Sequence, residues 1–185
     1  MHTSGGIVRV SSGLITRPGG EFSVAAPRFI YNVKCFNEDG KLAWVEDFEN
    51  LVTTQGKNNL LDVYFKGGTA STTWYVALYN SGTPVVGDTY ATHAGYVEDS
   101  NYSNANRPTL TLGTISGASV DNSGSVAAFN MNATTTIVGA AVVNKNTKGD
   151  TAAAGGILYS AGAFGASRSV VNGDTLNVTI TLSFT

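Results

Sequence analysis

The last ten residues of the chain alternate without a fault. Leu176, Val178, Ile180, Leu182 and Phe184 are apolar, and Asn177, Thr179, Thr181, Ser183 and Thr185 are polar. A period of two places one set on each face of an extended strand, and no helix produces it. A strand this long with one apolar face belongs to a sheet that buries that face against a second layer.

Most of the chain reads the same way. Residues 28–36 alternate, with Phe29, Tyr31, Val33 and Cys35 on one face. Asp39-Gly40 suits a tight turn, and residues 42–48 alternate again with Leu42, Trp44 and Phe48 on one side, so the two runs form a hairpin. Residues 74–79 are aromatic and β-branched. Residues 109–115, 126–132 and 157–159 read as shorter strands. Residues 134–143 are nearly continuous in apolar and β-branched side chains, which predicts a mid-sheet strand covered on both faces. Asp121-Asn122-Ser123-Gly124 and Asn172-Gly173-Asp174 are turns. The period changes once. Val52, Gly56, Leu60, Val63 and Tyr64 recur at helical spacing, Thr53 or Thr54 can cap the start, and Gly67-Gly68 ends it. The expected fold is mainly β: a two-layer antiparallel β-sandwich, jelly-roll-like, with one short helix near 53–65.

Two stretches stand apart. Residues 1–27 are Gly/Ser-rich, broken by Pro18-Gly19-Gly20, with too few apolar residues to form a core. They read as an extended N-terminal arm ahead of a sandwich domain over 28–185; an edge strand with a frayed end is the plainer alternative. Residues 80–108 hold no convincing strand, and a connection that long in a compact domain is often functional. Its tyrosines, Tyr90, Tyr96 and Tyr102, are six apart. A loop packed on itself by these rings is again the plainer alternative.

Composition bears on function. Charged residues make up 13% of the chain, about half the usual share. Low charge with many Thr and Asn suits a surface that meets another protein surface, where charges are costly to desolvate; a turn-rich β protein has the same look. The basic residues are scattered and the net charge is −2, so no nucleic-acid footprint is present. The single cysteine, Cys35, excludes an internal disulfide and reads as a small core residue. The first residues show no signal peptide and no run reaches transmembrane length, so the expectation is a soluble chain made in a cytoplasm. The sequons at Asn101, Asn132 and Asn177 then carry no glycan.

Chemistry is thin in the sequence. His2 and His93 are the only histidines. His93 has Glu98 and Asp99 nearby, but no Gly-x-Ser-x-Gly turn accompanies it, and an ordinary loop histidine is the better reading. Glu46 and Asp47 are strand neighbours and point to opposite faces, which argues against a shared acid–base site. Asp121-Asn122-Ser123 has oxygen ligands for calcium but one carboxylate. The segment 162–165 lacks the lysine of a phosphate loop. The expectation is therefore no catalysis, no metal and no cofactor.

Several phrases resemble structural proteins of tailed bacteriophages. Asn50-Leu51-Val52-Thr53-Thr54-Gln55-Gly56 opens a helix and leads to the strand Trp74-Tyr75-Val76-Ala77-Leu78. Gly87-Asp88-Thr89, Ile137-Val138-Gly139-Ala140-Ala141 and the closing Asn172-Gly173-Asp174-Thr175-Leu176 are similar too. The resemblance covers roughly residues 45–185 and is closest to head decoration (cement) proteins, with tail or fibre modules next. It implies a β-sandwich bound to the major capsid protein on the outside of the virion shell, often as a homotrimer, with neither nucleic acid nor membrane as partner. On that reading Arg9, Arg17 and Arg28 face the shell, and Tyr90, Tyr96 and Tyr102 contact a neighbouring subunit, Tyr and Arg being favoured interface anchors. The alternative is a tail or fibre module in which Trp74 or the loop tyrosines stack on host-surface glycan. A hydrolase is the remote third reading.

Overall fold

The computed structural model describes residues 15–17, 20–22, 26–150 and 152–184. Strands β1 (Ile15–Arg17) and β2 (Gly20–Phe22) pair with each other as a small hairpin. The rest of the expected N-terminal arm lies outside the described residues.

Two five-stranded antiparallel sheets pack face to face as a β-sandwich. The first contains β3 (Pro27–Phe36), β4 (Leu42–Glu49), β8 (Ser119–Asp121), β9 (Ala127–Asn130) and β12 (Thr175–Phe184). The terminal strand lies at its centre: β3 pairs along its whole length on one side, while β9 and then β8 pair along the other. The alternation explains this position. Leu176, Val178 and Ile180 are fully buried, as are Tyr31, Val33 and Cys35 opposite them. Each such aliphatic side chain contributes about 1.5–3 kcal/mol of transfer free energy.

The second sheet runs β5 (Leu51–Val52), β11 (Leu158–Val170), β10 (Thr135–Val143), β6 (Tyr75–Gly82), β7 (Tyr96–Asp99). It is covered on both faces. Val76, Leu78, Ile137, Ala140 and Val142 join the core against the first sheet. Ala77, Tyr79, Ala141, Val143, Leu158 and Ala161 form a second cluster on the outer face, under Tyr90 and Tyr96. The near-continuous apolar run of β10 follows from its place between β6 and β11, with neighbours above and below. The single helix among the described residues, α1 (Thr54–Phe65), connects β5 to β6 and leans on β11.

Three local expectations are corrected. The stretch 80–108 contains a strand, β7, which pairs with the far end of β6. The short strand expected at 157–159 is the start of a thirteen-residue strand: residues 158–163 pair with residues 139–143 of β10 and, past a bulge, residues 168–170 pair with residues 135–137. Residues 109–115 form no strand: one bridge, Tyr75 to Thr109, holds them beside β6, and pairing resumes only in β8.

Candidate docking surface

The tyrosines expected at a subunit contact face inward. Tyr90, Tyr96 and Tyr102 are all buried within the chain. Tyr96 packs on Tyr79 with ring centroids 4.9 Å apart, and the His93 ring stacks on Tyr96 at 4.3 Å. Tyr102 meets Phe129 edge-on and lies beneath the Lys148 ammonium at 4.5 Å. The Tyr90 hydroxyl donates to the Asp150 carbonyl and accepts from Arg107 at 3.1 Å. Burial pushes all three phenols above their ordinary pKa. The assignment of these rings to a neighbouring subunit is therefore corrected. The outer face of the second sheet needs an apolar cover, and the loop supplies it from its own aromatics.

A buried ion pair ties that cover down. The Arg107 guanidinium grips Glu98 with two bonds of 2.7 and 2.6 Å, their side chains only 1% and 7% exposed. Arg107 also donates to the carbonyls of Lys145 (2.7 Å) and Asp150 (3.0 Å), and Glu98 accepts from the Gly149 amide (3.1 Å). The loops 90–107 and 144–150 are thus held by one forked cation. The other acidic groups singled out in the sequence are engaged as well. Asp99 accepts from Asn80, Asn101 and Thr135. His93 Nδ1 lies 3.2 Å from the Tyr96 carbonyl. Glu46 pairs with Arg168, and Asp47 accepts from Asn32 at 2.8 Å. Asp121 accepts the Ser123 amide, and hydrogen bonds from Ser123 hold its carboxyl below the usual range. Among the described residues, no three His, Cys, Asp or Glu side chains gather as a metal site.

Of the arginines expected to face a shell, Arg28 lies at the start of β3 and pairs with Glu49 across the hairpin, both partly exposed. Arg17 belongs to β1, with nothing described of its side chain. Arg9 lies outside the described residues.

The two most exposed of the large apolar side chains among the described residues, Phe65 and Tyr64, lie on α1. Its first turn is firmly seated. Thr53 caps it, accepting the Gly56 amide at 3.0 Å and donating to the Leu158 carbonyl at 2.5 Å. Gln55 Nε2 donates to Gly156 (3.0 Å), while its Oε1 accepts the amides of Tyr90 (2.9 Å) and Leu158 (2.8 Å). Gly56 presses directly on β11; a Cβ there would stand 2.3 Å from the Tyr159 carbonyl oxygen. The second half of the helix has no such seat. It reads Leu60-Leu61-Asp62-Val63-Tyr64-Phe65, and none of these side chains is fully buried. Leu61 is 52%, Tyr64 76% and Phe65 80% exposed.

The inner side of this half-helix borders an open groove of about 280 Å³, walled by Leu60, Val63, Phe29, Trp74, Leu110 and Tyr159. The outer side carries Leu61 and Phe65. The sequence contained a signal for this surface. Five apolar residues in a run of six wrap more of a helix than one buried stripe requires. Such a surface can take up apolar groups from a partner and does so without any bond-making chemistry. No protein-family model matches the chain, and no curated protein matches it.

Proposed function

We propose that this chain is a non-enzymatic structural part of a tailed-bacteriophage virion. It is made in the host cytoplasm and binds the outside of the capsid shell as a decoration protein, working as a homotrimer against the major capsid protein. The observation that carries the reading is the unburied apolar end of α1, with Leu61, Tyr64 and Phe65 on the surface of an otherwise well-packed sandwich. The low charge of the chain and the phage-like phrases around Asn50, Ile137 and Asn172 support it. A ligand that binds only the assembled shell stabilises that shell by mass action, by about 2.7 kcal/mol at one hundred times its Kd. The test is to add purified protein to genome-free shells. Saturable binding with a raised shell melting temperature is expected, and both are lost in Leu61→Asp/Phe65→Asp. Failure to bind shells at micromolar concentration overturns the reading.

A second reading has one observation in its favour. Trp74 and Tyr64 both line the open groove, and exposed aromatic rings can stack on sugar rings. On that reading the chain is a tail or fibre module for host-surface glycan. Glycan-array binding that disappears in Tyr64→Ala, without affinity for shells, would favour it.

A further inference from the structure

The groove beside α1 has a neighbour that its walls identify. Phe29 of β3 and Leu182 of β12 are register partners, and both line it. Two residues back along β3, Pro27 pairs with the half-exposed Phe184. The polypeptide before Pro27 therefore joins the fold at the rim of the groove. That stretch contains Ile7-Val8-Arg9-Val10, with only Arg9, Arg17 and Glu21 charged. Because β1 and β2 fold back on each other, the reach from Pro27 comes from the short links on either side of the hairpin, residues 11–14 and 23–26. Extended, these eight residues span roughly 28 Å.

We propose that residues 7–10 dock in the groove of their own chain. In an extended run Val8 and Val10 point the same way and Arg9 points opposite. Val8 and Val10 enter between the helix and the sandwich, against Leu60, Val63 and Trp74, and Arg9 stays in water. A segment tethered at the rim has an effective concentration in the millimolar range, so contacts too weak to hold a free peptide are populated within the chain. The entropy of closing so short a loop is small. Docking covers the inner side of the half-helix and leaves Leu61 and Phe65 outward, so it does not depend on the virion reading.

The experiment uses the full chain. Wild type is compared with Val8→Asp/Val10→Asp for binding of anilinonaphthalene sulfonate, which brightens on apolar surface, and for tryptophan emission. Several-fold brighter dye and a red shift of the tryptophan band are expected in the variant. Leu112→Asp, at the exposed rim of the groove, should remove the dye gain when added to the variant. A synthetic peptide of residues 1–14 should displace the dye, and every species should elute as a particle of the same mass. Equal dye emission in wild type and variant overturns the proposal. So does a wild type of twice the variant's mass, which would place the segment in a second copy. Failure of shell binding with these results intact strikes only the proposed function.

Discussion

The ring of Tyr79 lies over Gly139. The two are register partners on β6 and β10, and a Cβ on Gly139 would stand 2.1 Å from the phenol Cζ and oxygen of Tyr79. The bare glycine lets the ring cross β10, so that its hydroxyl donates to the Gly162 carbonyl of β11. Three strands are thereby joined by one side chain. Gly139→Ala forces the ring off its site and leaves a buried carbonyl without its donor. A loss of about 2–4 kcal/mol is expected, read as a lower midpoint in urea. Tyr79→Phe, which keeps the ring and loses only the hydroxyl, should cost about 1 kcal/mol. A larger loss in Tyr79→Phe than in Gly139→Ala contradicts the arrangement.

Glu98 and Arg107 hold two loops over the second sheet from a site that excludes water. Glu98→Ala leaves a buried guanidinium without its carboxylate, and the expected cost is about 3–5 kcal/mol. Amide hydrogen exchange should quicken first at Gly149, whose N–H donates to Glu98. Uniform exchange across the chain would show that the pair does not act locally.

Thr53 both caps α1 and bonds to β11 from a fully buried position. Thr53→Ala removes the cap, at about 1–2 kcal/mol. Thr53→Ser keeps the oxygen and should recover most of it. Thermal denaturation of the two variants side by side decides the point.

Alkaline pH should destabilise the fold. Burial, then the charge and hydrogen bond of Asp174, push the Cys35 thiol from 9.0 to about 12. Burial also raises the phenols of Tyr31, Tyr79, Tyr96 and Tyr102 above their ordinary 10.0. A group raised in the folded state is protonated there and ionised in the unfolded chain, so unfolding releases protons and stability falls as pH rises. The loss begins near pH 9, where unfolded Cys35 ionises, and steepens past 10 with the tyrosines. Each group contributes at most about 1.4 kcal/mol per pH unit. Urea midpoints that stay level from pH 8 to 11 would refute it. Cys35 should also resist thiol reagents at pH 8 until the chain unfolds.

The outward side chains of α1 should be replaceable without harm to the sandwich. Phe65→Ser changes a side chain that is 80% exposed, and its effect on the melting temperature should stay within the range of ordinary surface changes, about 0.5 kcal/mol. A loss of several kcal/mol would mean that Phe65 is packed in the free protein.

Much of the fold was legible because its information is local. The alternation of Leu176 to Phe184, the unbroken apolar run of β10, the Asp39-Gly40 turn and the Thr53 cap each answer to backbone geometry and to the nearest few residues. The length of β11 was hidden because its middle is Ser160-Ala161-Gly162-Ala163, with little side chain to show a period. Those residues are small because Tyr31, Phe48 and Tyr79 reach across to them: the Tyr31 hydroxyl to Ser160, and the Phe48 and Tyr79 side chains to Gly162. Strand β7 was hidden because four residues carry too short a pattern.

The same division holds for surface and interior. By itself the sequence determined that the chain forms strands with one apolar face, a capped helix and a low-charge exterior, since these follow from periodicity and residue type. Only the tertiary structure decided that Tyr90, Tyr96 and Tyr102 turn inward while Leu61, Tyr64 and Phe65 stay out. An apolar side chain has no intrinsic preference between a core and a future partner. That choice belongs to the packing around it: the second sheet had an outer face to cover, and the far half of α1 has an open groove beside it instead of a packed layer.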